Sequence, residues 1–183
     1  MKIISILKNY TTIKKSANFV YLNCVKQSRE GELYNSILVP DTLDGRFDLI
    51  ILHIMLILRR LRGEGKSAEK LSKHLMAEMF SDMDRNLREM GVGDLSVGRQ
   101  VKKMAAAFYG RAELWEDALD LGEEQLASTL IDTVFRSIEV TNNQEKRLAR
   151  YMIAIDLHLG SLATNKIINN QFTFPSIEYK DGS

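Results

Sequence analysis

The residues of this chain whose types could do chemistry are three histidines, one cysteine, a pair of nearby aspartates and a glycine-rich stretch. His53, His74 and His158 fall on three different helical segments, and none has a second ligand at a metal-binding spacing such as HxxxH. Each therefore reads as a core or surface histidine. Cys24 stands alone, which leaves no internal disulfide and no CxxC site and suits a reducing compartment. Its plain reading is a small apolar packing residue. Asp82 and Asp84 are two positions apart, hence on different faces of a helix, and make a poor acid–base pair. The stretch from Gly91 to Gly98 outwardly resembles a phosphate-binding loop, but it joins two helical segments and carries Asp94, which would repel phosphate. It reads as a structural turn. No catalytic residue, metal or cofactor is expected.

Two groups remain whose chemistry is recognition. Arg99 sits in the first turn of a helix, where the macrodipole disfavours a cation by roughly 0.3–1 kcal/mol, and Lys102 and Lys103 follow on the next turn. Such a basic turn is either solvated or receives a partner's acidic group. Met76, Met79, Met83 and Met90 crowd one side of another helix, with Met104 to face them. Flexible thioethers suit surfaces that accommodate varied apolar helices, although filling a core is the plainer use of any one methionine.

The elements that must position these groups are helical. Pro40 and Pro175 are the two prolines, and about 130 residues between them lack the strongest helix breaker. An apolar fraction of 45% and a charged fraction of 27% describe an ordinary globular protein. Apolar periodicity predicts helices over about Ile13 to Arg29, Arg46 to Arg62, Ala68 to Met90, Val97 to Leu121 and Glu123 to Ile138. A sixth opens at the capping-box pattern Thr141-Asn142-Asn143-Gln144 and weakens at Gly160, with a short helical turn after it. Ser67 and Ser96 are the expected N-caps of the third and fourth. The second is apolar on every side, which marks it as the central element. The fold class is all-α, a single-domain bundle of about six helices with a short extended C-terminal tail. Residues 1–14 are expected to be a basic, mobile segment, 15–168 the helical domain and 169–183 the tail.

The net charge of +1 argues against a global field for DNA. Charge is nevertheless segregated: residues 1–29 hold six bases and no acid, whereas 113–132 hold seven acids and no base. The run from Leu49 to Leu58 is too short for a membrane span, which takes about 20 apolar residues. The basic amphipathic start, with Ile3, Ile6, Leu7, Tyr10 and Ile13, can lie on a membrane surface or pack on its own domain.

Val39-Pro40-Asp41-Thr42-Leu43-Asp44-Gly45-Arg46-Phe47-Asp48, the helix through Leu58-Arg59-Arg60-Leu61, and the stretch from Phe80 to Arg111 are three blocks that resemble the ubiquinol–cytochrome c chaperone family. The last includes Asp82 to Leu95, Lys102-Lys103-Met104 and Phe108-Tyr109-Gly110-Arg111. The resemblance implies a non-enzymatic chaperone that binds newly made cytochrome b, together with a small partner protein near the ribosome exit, until it enters the cytochrome bc complex (respiratory complex III). The short stretch ahead of these blocks looks like the bacterial members, implying the bacterial cytoplasm, peripheral to the inner membrane (the mitochondrial matrix in a eukaryote). The family brings no catalytic residues with it. The basic turns and the methionine side together suggest Arg46, Arg85, Arg88, Arg99, Lys102, Lys103 and Tyr109 as the polar rim of a contact surface, with Met79, Met83 and Met104 as its apolar floor. The alternative is a ribosome- or membrane-associated helical adaptor that holds no client.

Overall fold

The structure, a computed structural model, describes residues 2–177, with side chains from Thr12 onward. Side chains of the basic start that precede Thr12 lie outside the described residues. The chain is all-helical, as its periodicity predicts, and no strand occurs among the described residues. Six long helices are α1 (Lys2–Gln27), α3 (Leu43–Leu61), α4 (Lys66–Glu89), α5 (Asp94–Leu121), α6 (Glu123–Thr133) and α7 (Gln144–Ser161). Two five-residue helices are added, α2 (Gly31–Asn35) and α8 (Thr164–Ile168).

The chain packs as two compact units. The first takes the residues up to Asn23, Leu61–Gly110 and Ala163–Phe172, and the second takes Cys24–Arg60, Arg111–Leu162 and the residues from Thr173.

In the first unit α1 lies against α4. The Asn18 amide donates to Glu78 at 3.2 Å and the Tyr21 hydroxyl to Asp82 at 2.7 Å. Ala17 and Val20 of α1 are buried there, with Leu71, Leu75, Met79 and Met83 of α4, Phe108 of α5 and Ile167 of α8. The α4–α5 turn is closed by geometry. Gly91 takes φ +81°, its N–H bonds the Arg88 carbonyl at 3.0 Å, and the Val92 N–H bonds the Leu87 carbonyl at 3.0 Å. That double bond is the Schellman arrangement, which satisfies the last carbonyls of α4.

The second unit is organised around α3. Leu49 and every residue from Ile51 to Ile57 are buried, as expected of a helix that is apolar all round. At about 1.5–3 kcal/mol per large apolar side chain, this helix is the main source of hydrophobic stabilisation in its unit. α6 packs against α7. The Trp115 indole on α5 donates to Thr133 at the end of α6, at 3.0 Å. The chain after α8 turns at Asn169–Asn170 and carries no regular secondary structure from Gln171 through Ile177, and Phe174 sets its ring edge-on to His53 with centroids 5.0 Å apart.

Several boundaries differ from the sequence expectation. Ser67 and Ser96 lie inside their helices instead of capping them. The carbonyls of Gly65 and Gly93 accept the first helical bonds, from Glu69 at 3.0 Å and Val97 at 3.2 Å. α6 stops at Thr133, short of Ile138. Of the expected capping box, the backward half forms: the Gln144 side chain accepts from the N–H groups of Thr141 at 3.2 Å and Asn142 at 2.8 Å. The forward half is missing, because Asn143 is the residue before the helix and is left-handed at φ +54°.

Candidate functional site

The groups that looked most chemical are occupied with structure. His53 is wholly buried in the second unit. Its Nδ1–H donates to the Leu49 carbonyl at 2.7 Å, so Nε2 accepts from the Tyr151 hydroxyl at 3.0 Å. Tyr151 in turn accepts from the Gln27 amide at 2.8 Å. Burial holds the imidazole neutral by lowering its pKa from 6.5 to about 4, partly opposed by its backbone bond. Every polar atom of the ring has a partner, and none is left for a metal or substrate. Burial likewise pushes the Cys24 thiol up, keeping it protonated and inert. No cluster of metal-ligating side chains exists among the described residues.

Much of the three sequence blocks is architectural. In the second unit, Asp48 on α3 is buried between two arginines: Arg111 Nε lies 2.7 Å from Oδ1, and Arg136 donates to Oδ2 at 3.0 Å. The Arg111 contact is close in charge but not aligned as a hydrogen bond, leaving Oδ1 without one. Burial pushes the Asp48 carboxyl up, and the two guanidinium charges pull it back down. Arg136 also holds Asp44 at 2.7 Å, and Arg111 stands over the Phe47 ring, 6.0 Å from its centroid. The first block and the end of the third therefore meet in one buried ionic cluster. Gly45 explains another block residue: a Cβ there would lie 2.0 Å from the Pro40 carbonyl oxygen. No side chain fits. In the Leu58–Leu61 block, Arg59 pairs with Asp120 at 2.5 Å and Asp156 at 3.1 Å. Arg60 donates to the Leu159 and Leu162 carbonyls at 2.9 and 2.8 Å, closing the C-terminal end of α7.

The expected contact residues divide in the same way. Arg46 belongs to the second unit and is exposed but bound to Asp41 at 2.6 Å. In the first unit Arg85 is paired with Asp82, and Arg88 bridges Asp84 and Asp94. Met79 and Met83 are not a surface floor. Both are buried, because the stripe from Leu71 through Met83 is the inward face of α4. Met104 is half-buried. What remains on the surface is the start of α5. Arg99, Lys102 and Lys103 are exposed and form no ion pair among the described residues; Arg99 reaches only the Ser96 hydroxyl, at 3.3 Å. Exposed apolar side chains flank these cations: Leu95 fully, Met90 and Tyr109 by more than half. This is the one stretch of the expected site that is both cationic and uncompensated.

The sequence model of the ubiquinol-cytochrome C chaperone family matches residues 35–174, more than half of the chain. The chain belongs to that family. The family match begins ahead of the Pro40–Asp48 block and takes in both arginines of the Asp48 cluster. Among curated proteins, ubiquinol-cytochrome-c reductase complex assembly factor 1 of Xenopus laevis is 24% identical over 67% of this chain and 61% of its own length. The Homo sapiens protein of that name is 26% identical over 67% of this chain and 41% of its own. The Mus musculus one is 24% identical over 76% and 48%. The match thus spans between about two-fifths and three-fifths of these relatives. The crystal structure of the Cbp3 homolog from Brucella abortus superposes with a TM-score of 0.86 at 28% identity, covering 97% of this chain and 98% of that one. No described helix of this chain is long and apolar enough to cross a membrane.

Proposed function

We propose that this protein is an assembly chaperone for the cytochrome bc complex that binds newly made cytochrome b. Family membership and relatives named as assembly factors of ubiquinol-cytochrome c reductase support the assembly role. The surface observation that carries client binding is the start of α5, where three cations without carboxylate partners stand beside exposed Leu95, Met90 and Tyr109. An unassembled membrane protein offers apolar helices ended by polar loops. A face that mixes apolar side chains with donors for acidic or carbonyl groups suits such a client. Arg99, Lys102, Lys103, Met104 and Tyr109 make the contact. Arg85 and Arg88 stiffen the turn behind it through their aspartates, and Met79 and Met83 support it from within. In the other unit, Arg46 is a separate candidate contact on the loop it ties to Asp41. A small partner protein and the ribosome exit region belong to the same reading. So does action in the bacterial cytoplasm beside the inner membrane.

Deleting the gene and measuring cytochrome b accumulation tests the role: cytochrome b should fall while transcripts persist. Unchanged cytochrome b would sink it. The contact surface is tested separately by crosslinking newly made cytochrome b to Arg99→Ala/Lys102→Ala/Lys103→Ala protein.

A further inference from the structure

α5 is an unbroken helix of 28 residues whose exposed face is one continuous strip. Leu95, Arg99, Lys102, Lys103, Ala106, Tyr109, Gly110, Glu113, Leu114, Asp117 and Leu121 recur at helical spacing along it, all exposed. The cations occupy its first half and the acids its second. Each half opposes the helix dipole, which favours acids at the start and bases at the end. Asp94 is the acid of the first turn, bound by Arg88, and the last turn has no base. Arg99, Lys102, Lys103, Glu113 and Asp117 have no ion-pair partner among the described residues, although acids elsewhere on α3, α4, α6 and α7 are paired.

The strip is self-complementary about Phe108. Arg99 and Asp117 are equidistant from that residue, as are Lys103 and Glu113, Lys102 and Leu114, and Leu95 and Leu121. Ala106 and Gly110 flank the midpoint, and a Cβ on Gly110 would meet nothing within 4 Å. Two copies laid antiparallel across a two-fold axis level with Phe108, whose own side chain is buried away from the strip, bring each cation level with an acid or an aliphatic side chain of the other copy. They also cover the exposed leucines at both ends and let the backbones approach over small residues. Each helix then receives the other's acids at its start and the other's bases at its end. We infer that this face of α5 is a docking surface for a second copy of the same chain, paired antiparallel.

The pairing stands on the charge order of α5 and not on the client reading. It covers Arg99, Lys102, Lys103 and Tyr109, so self-pairing and client contact at these residues exclude one another.

The test is sedimentation of the full chain and of two variants. One copy is made acid-only on the strip (Arg99→Asp, Lys102→Glu, Lys103→Glu) and one base-only (Glu113→Lys, Asp117→Arg), with helicity checked by circular dichroism. The unmodified chain is expected to dimerise with concentration, less so at high salt. Each variant alone should bind itself at least about ten-fold more weakly, since like charges then face each other. Mixing the two should restore pairing, and so should one chain carrying all five changes. A chain that stays monomeric at every attainable concentration, or single-sign variants that dimerise as well as the original, would overturn the proposal. Cytochrome b levels are measured in neither case, so the outcome is independent of the assembly role.

Discussion

The buried cluster around Asp48 and the exposed strip of α5 use the same residue types to opposite ends. At Asp48, one carboxylate is enclosed by Arg111 and Arg136, and the charges neutralise each other inside the second unit. On α5, Arg99, Lys102 and Lys103 face solvent with no acid beside them. The first arrangement is costly to disturb and has nothing left to offer a partner. The second is cheap to disturb and has everything still to offer. Residues of the quoted blocks thus serve both ends: Asp48 and Arg111 hold the second unit together, whereas Lys102, Lys103 and Tyr109 stay exposed on α5.

That contrast makes graded predictions. The largest effect is expected from Asp48→Ala, which leaves the Arg111 guanidinium without a carboxylate and Arg136 with Asp44 alone; removing one partner of a buried pair costs about 3–5 kcal/mol. Chemical denaturation should show it, and a loss below about 1 kcal/mol would mean the cluster is not the clasp its geometry suggests. Gly45→Ala should cost about 3 kcal/mol, since the new methyl must displace the Pro40 carbonyl. Its control is Gly98→Ala, where nothing lies within 4 Å and helix propensity alone gains up to about 1 kcal/mol.

His53 adds a pH test of the same buried region. Its folded pKa of about 4 lies below the unfolded 6.5, so the unfolded chain binds the extra proton between these values. Stability is therefore full above about pH 6.5 and declines as pH falls toward 4, by on the order of 3 kcal/mol. His53→Gln should flatten that part of the stability profile. A profile that His53→Gln leaves unchanged would place the proton elsewhere.

The smallest effect on folding belongs to the exposed strip. Replacing Arg99, Lys102 and Lys103 together by alanine should leave the melting temperature within about 2 °C while abolishing the crosslink to cytochrome b. A large drop in melting temperature would erase the distinction between the two regions.

Periodicity and composition were enough to establish the all-helical class, the six long helices and the central place of α3, because burial on a helix writes a 3.6-residue pattern into neighbouring positions. The absence of ligand-spaced histidines was equally plain, as was the turn at Gly91. Local sequence did not decide how the helices start, since Gly65 and Gly93 displace Ser67 and Ser96 through backbone bonds that leave no side-chain signal. It also did not separate buried methionines from exposed ones. Met79 and Met83 were expected on a surface, yet the apolar stripe that names them is the one that packs inward. Nor could spacing show that Asp48 meets Arg111 and Arg136, or which arginines remain uncompensated on the surface. Pairing of charges far apart in the chain depends on which helix faces come together, and only tertiary packing settles that.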